Sequence, residues 1–434
     1  MERLPVEVIG NILSGLGAAR DIVIASATCR KWREAYRKHL HTLSFNSVDW
    51  PSYRDLTTSK LEILITQTIF QTKGLQGLSI LMDDVDEFSA STVLAWLLYT
   101  RETLRQLCYN VRTNPSINIL ETCSKQKLEV IELAHNTISG VEPNFQRFPC
   151  LKSLSLCYVS VSALDLNLLL SACPKIELLE LINPEIAVSD TTVELSSRTL
   201  KSIFVEAISL EKLILEADSL EILHLKDSSL EDFELIGKGT LKHVKIDDVS
   251  IIHLYIGDTI ESLEVVDISN FTIFWPEFCD MISKSTMLRK LRLWDVLFDD
   301  ENETVDLETS YACYPRLPHS CADLETLAVC FPKLHHLSLS YDLRDGSLLN
   351  SLQGSSCLPN VTVLELGWTV ITDLFSDWVE GLLKRCPNLK VLVIHGVISD
   401  AKSQDECRSL ANFTSSMVRL MRSHMHVEVK FEFE

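Results

Sequence analysis

One six-residue phrase recurs along this chain: an apolar residue, two free positions, an apolar residue, one free position, and a last apolar residue. Leu128–Leu133 (LEVIEL), Leu151–Leu156 (LKSLSL), Ile176–Leu181 (IELLEL), Leu220–Leu225 (LEILHL), Leu334–Leu339 (LHHLSL) and Leu389–Ile394 (LKVLVI) are copies. There are about seventeen in all. The fourth and sixth positions alternate, so they bury one face of a short strand. One such strand cannot cover its own face, and only stacked neighbours can. Repetition therefore dictates a solenoid of α/β class, a curved parallel sheet with helices or short strands on the convex side. Such a fold offers a long surface rather than a single catalytic pocket.

The gaps between copies say what each coil contains. The phrase begins at 75, 104, 128, 151, 176 and 200, at intervals of 23 to 29 residues, which are leucine-rich-repeat lengths. Helical stretches fill the intervals and often close in Cys-Pro or Phe-Pro, as in 168–176 (LLLSACPKI) and 378–389 (WVEGLLKRCPNL). The proline halts the helix and launches the next strand. Cys173 and Cys386 in this setting read as packing residues. From 200 the phrase begins at 200, 210, 220, 230, 241, 251 and 260. Ten residues cannot hold a strand, a helix and two turns. The middle block is therefore expected to carry strands near 200, 220, 241 and 260 in the concave sheet, with strands near 210, 230 and 251 behind them.

Longer units resume at 288, 334, 361 and 389, and LETLAV at Leu324 is expected to be helical because it precedes Cys330-Phe331-Pro332. The long gap after 288 predicts an acidic, solvated insertion at about 298–320, with Asp299, Asp300, Glu301, Glu303, Asp306 and Glu308. The array is thus expected over 41–399, with about twelve copies building the concave face. Residues 400–434 are expected to cap it. Ser403 and Glu406 form a capping-box pattern ahead of an amphipathic helix. Val427, Val429, Phe431 and Phe433 then alternate with charges in a closing strand.

Composition excludes several classes. The 434 residues exceed one ordinary core. At 46% hydrophobic content no run still reaches the roughly 18 apolar residues of a membrane helix. MERLPVEV has charges and a proline where a secretory signal needs an apolar run. Thirteen cysteines, an odd count without C-x-x-C spacing, read as reduced thiols of a cytoplasmic or nuclear protein. A net charge of −20 argues against nucleic acid as a partner. Catalysis fits poorly, because no P-loop, G-x-S-x-G or H-E-x-x-H is present. His335 and His336 point to opposite faces of a strand, and His424 and His426 lack acid or thiol partners nearby. Neither a metal nor a cofactor is expected.

Residues 1–40 differ from the rest. They lack the phrase and are basic: Arg3, Arg20, Arg30, Lys31, Arg33, Arg37 and Lys38 outnumber Glu2, Glu7, Asp21 and Glu34. Val8, Ile9, Ile12, Leu13 and Leu16 follow Pro5 at helical spacing. Gly17 is expected to end that helix and Asp21 to cap a short second one. A third, basic helix is expected from about Thr28 to Leu40, carrying Trp32 and Tyr36. Three helices this small must dock on the solenoid, on a partner, or on both.

The stretch LPVEVIGNILSGLGAARDIVIASATCRKWREA resembles an F-box. The resemblance rests on Leu4-Pro5, Glu7, Ile12, Leu16, Asp21 and the closing Cys29-Arg30-x-Trp32. Gly17 stands where the F-box pattern usually has proline, and the turn at 17–20 is one residue longer. F-box and repeats together resemble plant F-box/LRR proteins over the full length. The resemblance implies a non-catalytic substrate receptor of an SCF-type ubiquitin ligase. It would dock on a Skp1-like adaptor, and through it a cullin, by Leu4, Pro5, Ile9, Ile12, Leu13, Leu16, Val23, Ile24, Cys29 and Trp32. A scaffold without degradation and a small-molecule co-receptor are the alternatives it leaves.

In each phrase the third, fifth and seventh positions face the concave side. They include Ser262, Glu264 and Val266 from the copy at 260. His224, Lys226, His243, Lys245, Lys290, Arg292 and Trp294 are expected to form a basic, aromatic-edged patch on this acidic chain. Such a patch suits an acidic or phosphorylated segment of a protein target.

Overall fold

The computed structural model describes residues 4–141, 147–187, 190–257, 260–273, 275–294, 296–298, 324–340, 357–369, 373–396 and 404–433. The chain forms two compact units: Met1–Leu220 with Leu230–Ile236, and Glu221–Ser229 with Gly237–Glu434.

The first unit opens with three helices, α1 (Val6–Ser14), α2 (Ala19–Ala27) and α3 (Arg30–His39). Strand β1 (Thr42–Asn46), helix α4 (Thr58–Phe70) and strand β2 (Gly77–Leu81) follow. A parallel ladder then runs through Gln106–Tyr109, Val130–Ala134, Ser153–Cys157, Leu178–Ile182 and Ser202–Glu206. Leu43, Leu78, Leu107, Ile131, Leu154, Leu179 and Ile203 align rung by rung. All seven are buried, which is the stacking the repeated phrase demands.

Two expectations for the N-terminal helices are corrected. Helix α1 stops at Ser14 rather than Gly17, and Gly17 instead takes φ 74° in the turn beyond. Asp21 lies in the first turn of α2 and does not cap it; extended Ala18 precedes the helix. Ala18 is held extended because it bridges to Ser44 of β1. The tertiary contact, not the capping preference, sets this helix start.

The two-strand middle appears as expected, with refinements. Behind the first unit's ladder, Thr192–Ser196 pairs in parallel with Ser209–Glu216. The back strands thus begin one coil earlier than the phrase showed, because Asp190 stands where an apolar residue would have opened the copy. The expected pairs of strands at 220/230 and 241/251 are each one continuous strand, Ile222–Ile236 and His243–Tyr255. Each turns through a left-handed residue, Asp227 (φ 47°) or Asp248 (φ 52°).

In the second unit the ladder runs through His243–Asp247, Val265–Ser269, Lys290–Trp294, His336–Ser340, Val363–Thr369, Val391–Gly396 and Glu428–Phe433. Here the copy expected at 260 is corrected: the strand pairs His243 with Val265, so the phrase opens at Leu263. Val265, Asp267 and Ser269 take the open face in place of Ser262, Glu264 and Val266. Leu324–Cys330 is helical as expected. Helix Gln404–Ser423 and strand Glu428–Phe433 follow the last repeat. Ser403, and the acidic insertion from 299 onward, lie outside the described residues. Cys173 and Cys386 are buried, and burial pushes both thiols up to about 12. No helix among the described residues is long and apolar enough to cross a membrane.

Candidate functional site

Two surfaces carry the sequence-derived site residues, one on the N-terminal helices and one on the ladder of the second unit.

Helix α1 has two apolar stripes. Residues four apart lie above one another, so Ile9 and Leu13 form one stripe and Val8 and Ile12 the next. Ile9 and Leu13 are 0% exposed, inside a core with Ile22, Ala35 and Tyr36. They therefore hold the helices together and are not open to a partner. Val8, Ile12, Leu16, Val23 and Ile24 are 40–56% exposed. Pro5 and Cys29 are also exposed, and Leu4 and Trp32 are half-buried. Val8 was absent from the expected contacts, although its place one turn before Ile12 is the signal that finds it.

The helices are pinned to the ladder. Gly10 lies against α3 so closely that a Cβ would sit 2.5 Å from the His39 carbonyl oxygen. The Tyr36 hydroxyl donates to the Thr68 carbonyl (2.9 Å). The Ser44 and Lys73 amides donate to the carbonyls of Gly17 (3.2 Å) and Arg37 (2.9 Å). Five large apolar side chains thus stand exposed on a supported platform, the usual mark of a protein interface.

On the second unit, one rung-by-rung row reads Lys245, Asp267, Arg292, Ser338, Glu365. His224, Lys226 and His243 lie on adjoining strand residues, where the His243 amide donates to the Glu221 carbonyl (2.9 Å). The expected basic patch is therefore interleaved with acids. Asp267 enters the row because the strand's register opens the phrase at Leu263, three residues after the overlapping copy at 260. Lys226 pairs with Asp227 (3.4 Å). Burial first, and then Lys245, hold the His224 imidazole below its ordinary pKa.

Trp294 is not an open edge. It is 8% exposed, and its Nε1 donates to the Ser338 hydroxyl (2.6 Å). Its ring occupies the space a side chain at Gly367 would need: a Cβ there would meet Cε2 at 2.7 Å. His395 meets the ring edge-on at 5.1 Å. The Arg292 guanidinium lies over the indole, 3.7 Å from its centroid, with Nη1 3.3 Å from both Asp267 oxygens. His336 stands 3.1 Å from Glu365. Hydrogen bonding to His336 is the main cause that holds the Glu365 carboxyl at about 2, against burial.

An F-box-like family model matches residues 1–42, and a model described as "FBD-associated F-box protein At5g56370, LRR repeats" matches residues 69–253. The F-box/LRR-repeat protein At1g67190 of Arabidopsis thaliana is 67% identical over 436 residues, covering 100% of both chains. This chain belongs to the F-box/LRR-repeat family. A second Arabidopsis thaliana relative, F-box protein At1g10780, is 24% identical over 194 residues, 42% of this chain and 44% of that one. Helices α1–α3 are thus the F-box and the ladders are the leucine-rich repeats. F-box domains generally bind Skp1-like adaptors, and the family names point to a non-catalytic role.

Proposed function

We propose that this F-box/LRR protein is the substrate-recognition subunit of an SCF-type E3 ubiquitin ligase, working in the cytoplasm or nucleus. The F-box face docks on a Skp1-like adaptor and through it a cullin, and the open face of the repeats captures a protein target. One observation carries the reading: Val8 and Ile12 of α1, Leu16 in the turn after it, and Val23 and Ile24 of α2 are all exposed. Apolar surface of this kind is stable in a partner and costly in water. Such a receptor needs no catalytic residue, because holding the target near the transferring enzyme raises its effective concentration.

The test is co-purification of the full chain with a recombinant Skp1-like adaptor and cullin. Ile12→Asp with Val23→Asp abolishes capture while the thermal transition stays in place. An intact chain that captures no adaptor, or a double variant that captures it normally, defeats the reading. Ubiquitin transfer to a bound target, lost in the same variant, tests the ligase role.

A further inference from the structure

The ladder face of the second unit holds one cation in an unusual state. Arg292 is stacked on an indole that is itself locked by Ser338 and seated over Gly367. Its Nη1 is committed to Asp267, while its Nε–H is closed to solvent and has no acceptor. The side chain nonetheless keeps 26% of its surface exposed. A guanidinium presents a planar fork suited to bidentate oxyanions. Here one edge of the fork is filled and the other is not. Neither Lys245 nor Lys290 has an ion-pair partner among the described residues. Lys290 lies two residues before Arg292 on the same strand, and Lys245 lies two rungs away in the same row.

We propose that Arg292 is the anchor for a carboxylate side chain of an extended acidic segment in the target, with Lys245 and Lys290 taking further carboxylates of that segment. The inference rests on the reading of this chain as a target receptor and names the class of target. Stacking and the Asp267 contact fix the guanidinium before the partner arrives, so little ordering is left for binding to offset. The carboxylate meets the part of the guanidinium that remains open to solvent beyond the Asp267 contact, with the stacked position kept. Asp267 also sets the charge of the ligand. It cancels one of the three positive charges of Arg292, Lys245 and Lys290, so these four groups together offer a net charge of about +2, spread along the row, to the carboxylates of the segment.

The experiment selects a random-peptide display library on the full chain in complex with its adaptor. Selected peptides are resynthesised and titrated against wild type, Arg292→Gln and Arg292→Lys. The expected peptides share fixed Asp or Glu positions. Their affinity falls about tenfold or more in Arg292→Gln and falls in Arg292→Lys too, because a point charge lacks the fork. Selected peptides without a shared acid, equal affinity for Arg292→Gln, or full recovery in Arg292→Lys overturns the proposal. Tighter binding when phosphoserine replaces the acid also overturns it, in favour of a phosphopeptide reader. Adaptor capture is measured on the same preparations, so a failed receptor reading is seen separately from a failed anchor.

Discussion

Five strand ends, at His135, Tyr158, Asn183, Ala207 and Asn270, and two bends within continuous strands, at Asp227 and Asp248, turn through non-glycine residues in the left-handed region, with φ of 47–57°. The conformation steers the chain off the ladder, and the His135, Tyr158 and Asn183 amides donate to the last carbonyl of the next strand. A Cβ makes this region costly by about 1–2 kcal/mol, less for Asn and Asp. Ala207 has no side-chain polar group to offset that cost. Ala207→Gly is therefore expected to stabilise the protein by about 1 kcal/mol in denaturant titration, after the loss of chain entropy. Asn183→Gly should change little. Glu365 offers a second test. Its folded pKa, about 2, lies below the ordinary 4.5. Its contribution is complete above pH 4.5 and disappears as the pH falls towards 2, with an upper limit of about 3 kcal/mol. Glu365→Gln should flatten the acid limb of the stability curve over that window and lower stability at neutral pH.

Among elements, α1 shows how one helix serves two purposes. Its Ile9 stripe faces inward and its Val8 stripe outward. Ile9→Ala should cost about 2–5 kcal/mol, while Ile12→Asp should leave stability nearly unchanged and affect only adaptor capture. Gly10→Ala drives a methyl into the backbone of α3 and should lose about 1–3 kcal/mol despite alanine's better helix propensity. The ladder carries its own device in the phrase's second position. Arg105, Glu129, Lys152, Glu177 and Lys201 alternate in the first unit, and Glu221, Lys242, Glu264 and Arg289 in the second. Consecutive amides and carbonyls of these residues hydrogen-bond at 2.7–2.9 Å within each unit, and Lys152–Glu129, Lys201–Glu177 and Lys242–Glu221 pair at 2.9–3.1 Å. Lys152→Glu stacks three acids on adjacent rungs. The melting temperature should fall, and salt raised to about 1 M should narrow the gap to wild type.

At the scale of the molecule, the F-box is anchored by α3 against α4 and by Gly17 against β1, so its exposed apolar residues are carried by the first repeats. Residues 1–40 supply the family's signature, but their support comes from residues beyond them. Much of this was legible beforehand, because an F-box and a leucine-rich ladder each impose local patterns. Alternation forces Leu154 and Leu156 inward, and the 10-residue spacing forces a strand on each side. What was not legible had one cause, ambiguity between overlapping local patterns. IESLEV at 260 and LEVVDI at 263 both satisfy the phrase, and only pairing with His243–Asp247 selects the second. That choice placed Asp267 beside Arg292 and changed the reading of the whole patch. Likewise, both stripes of α1 are apolar, and only the packing of α2 and α3 decides which is covered.

The sequence by itself determined the order of parts, the repeat lengths, the two-stranded middle and the inward leucines, because each follows from periodicity within one strand or one helix. The tertiary structure alone decided which apolar stripe of the F-box is left exposed, which copy of an overlapping phrase enters the ladder, and how Trp294 comes to lie under Arg292 and over Gly367. Those outcomes depend on residues far apart in the chain reaching the same few ångströms, and no local pattern encodes that distance.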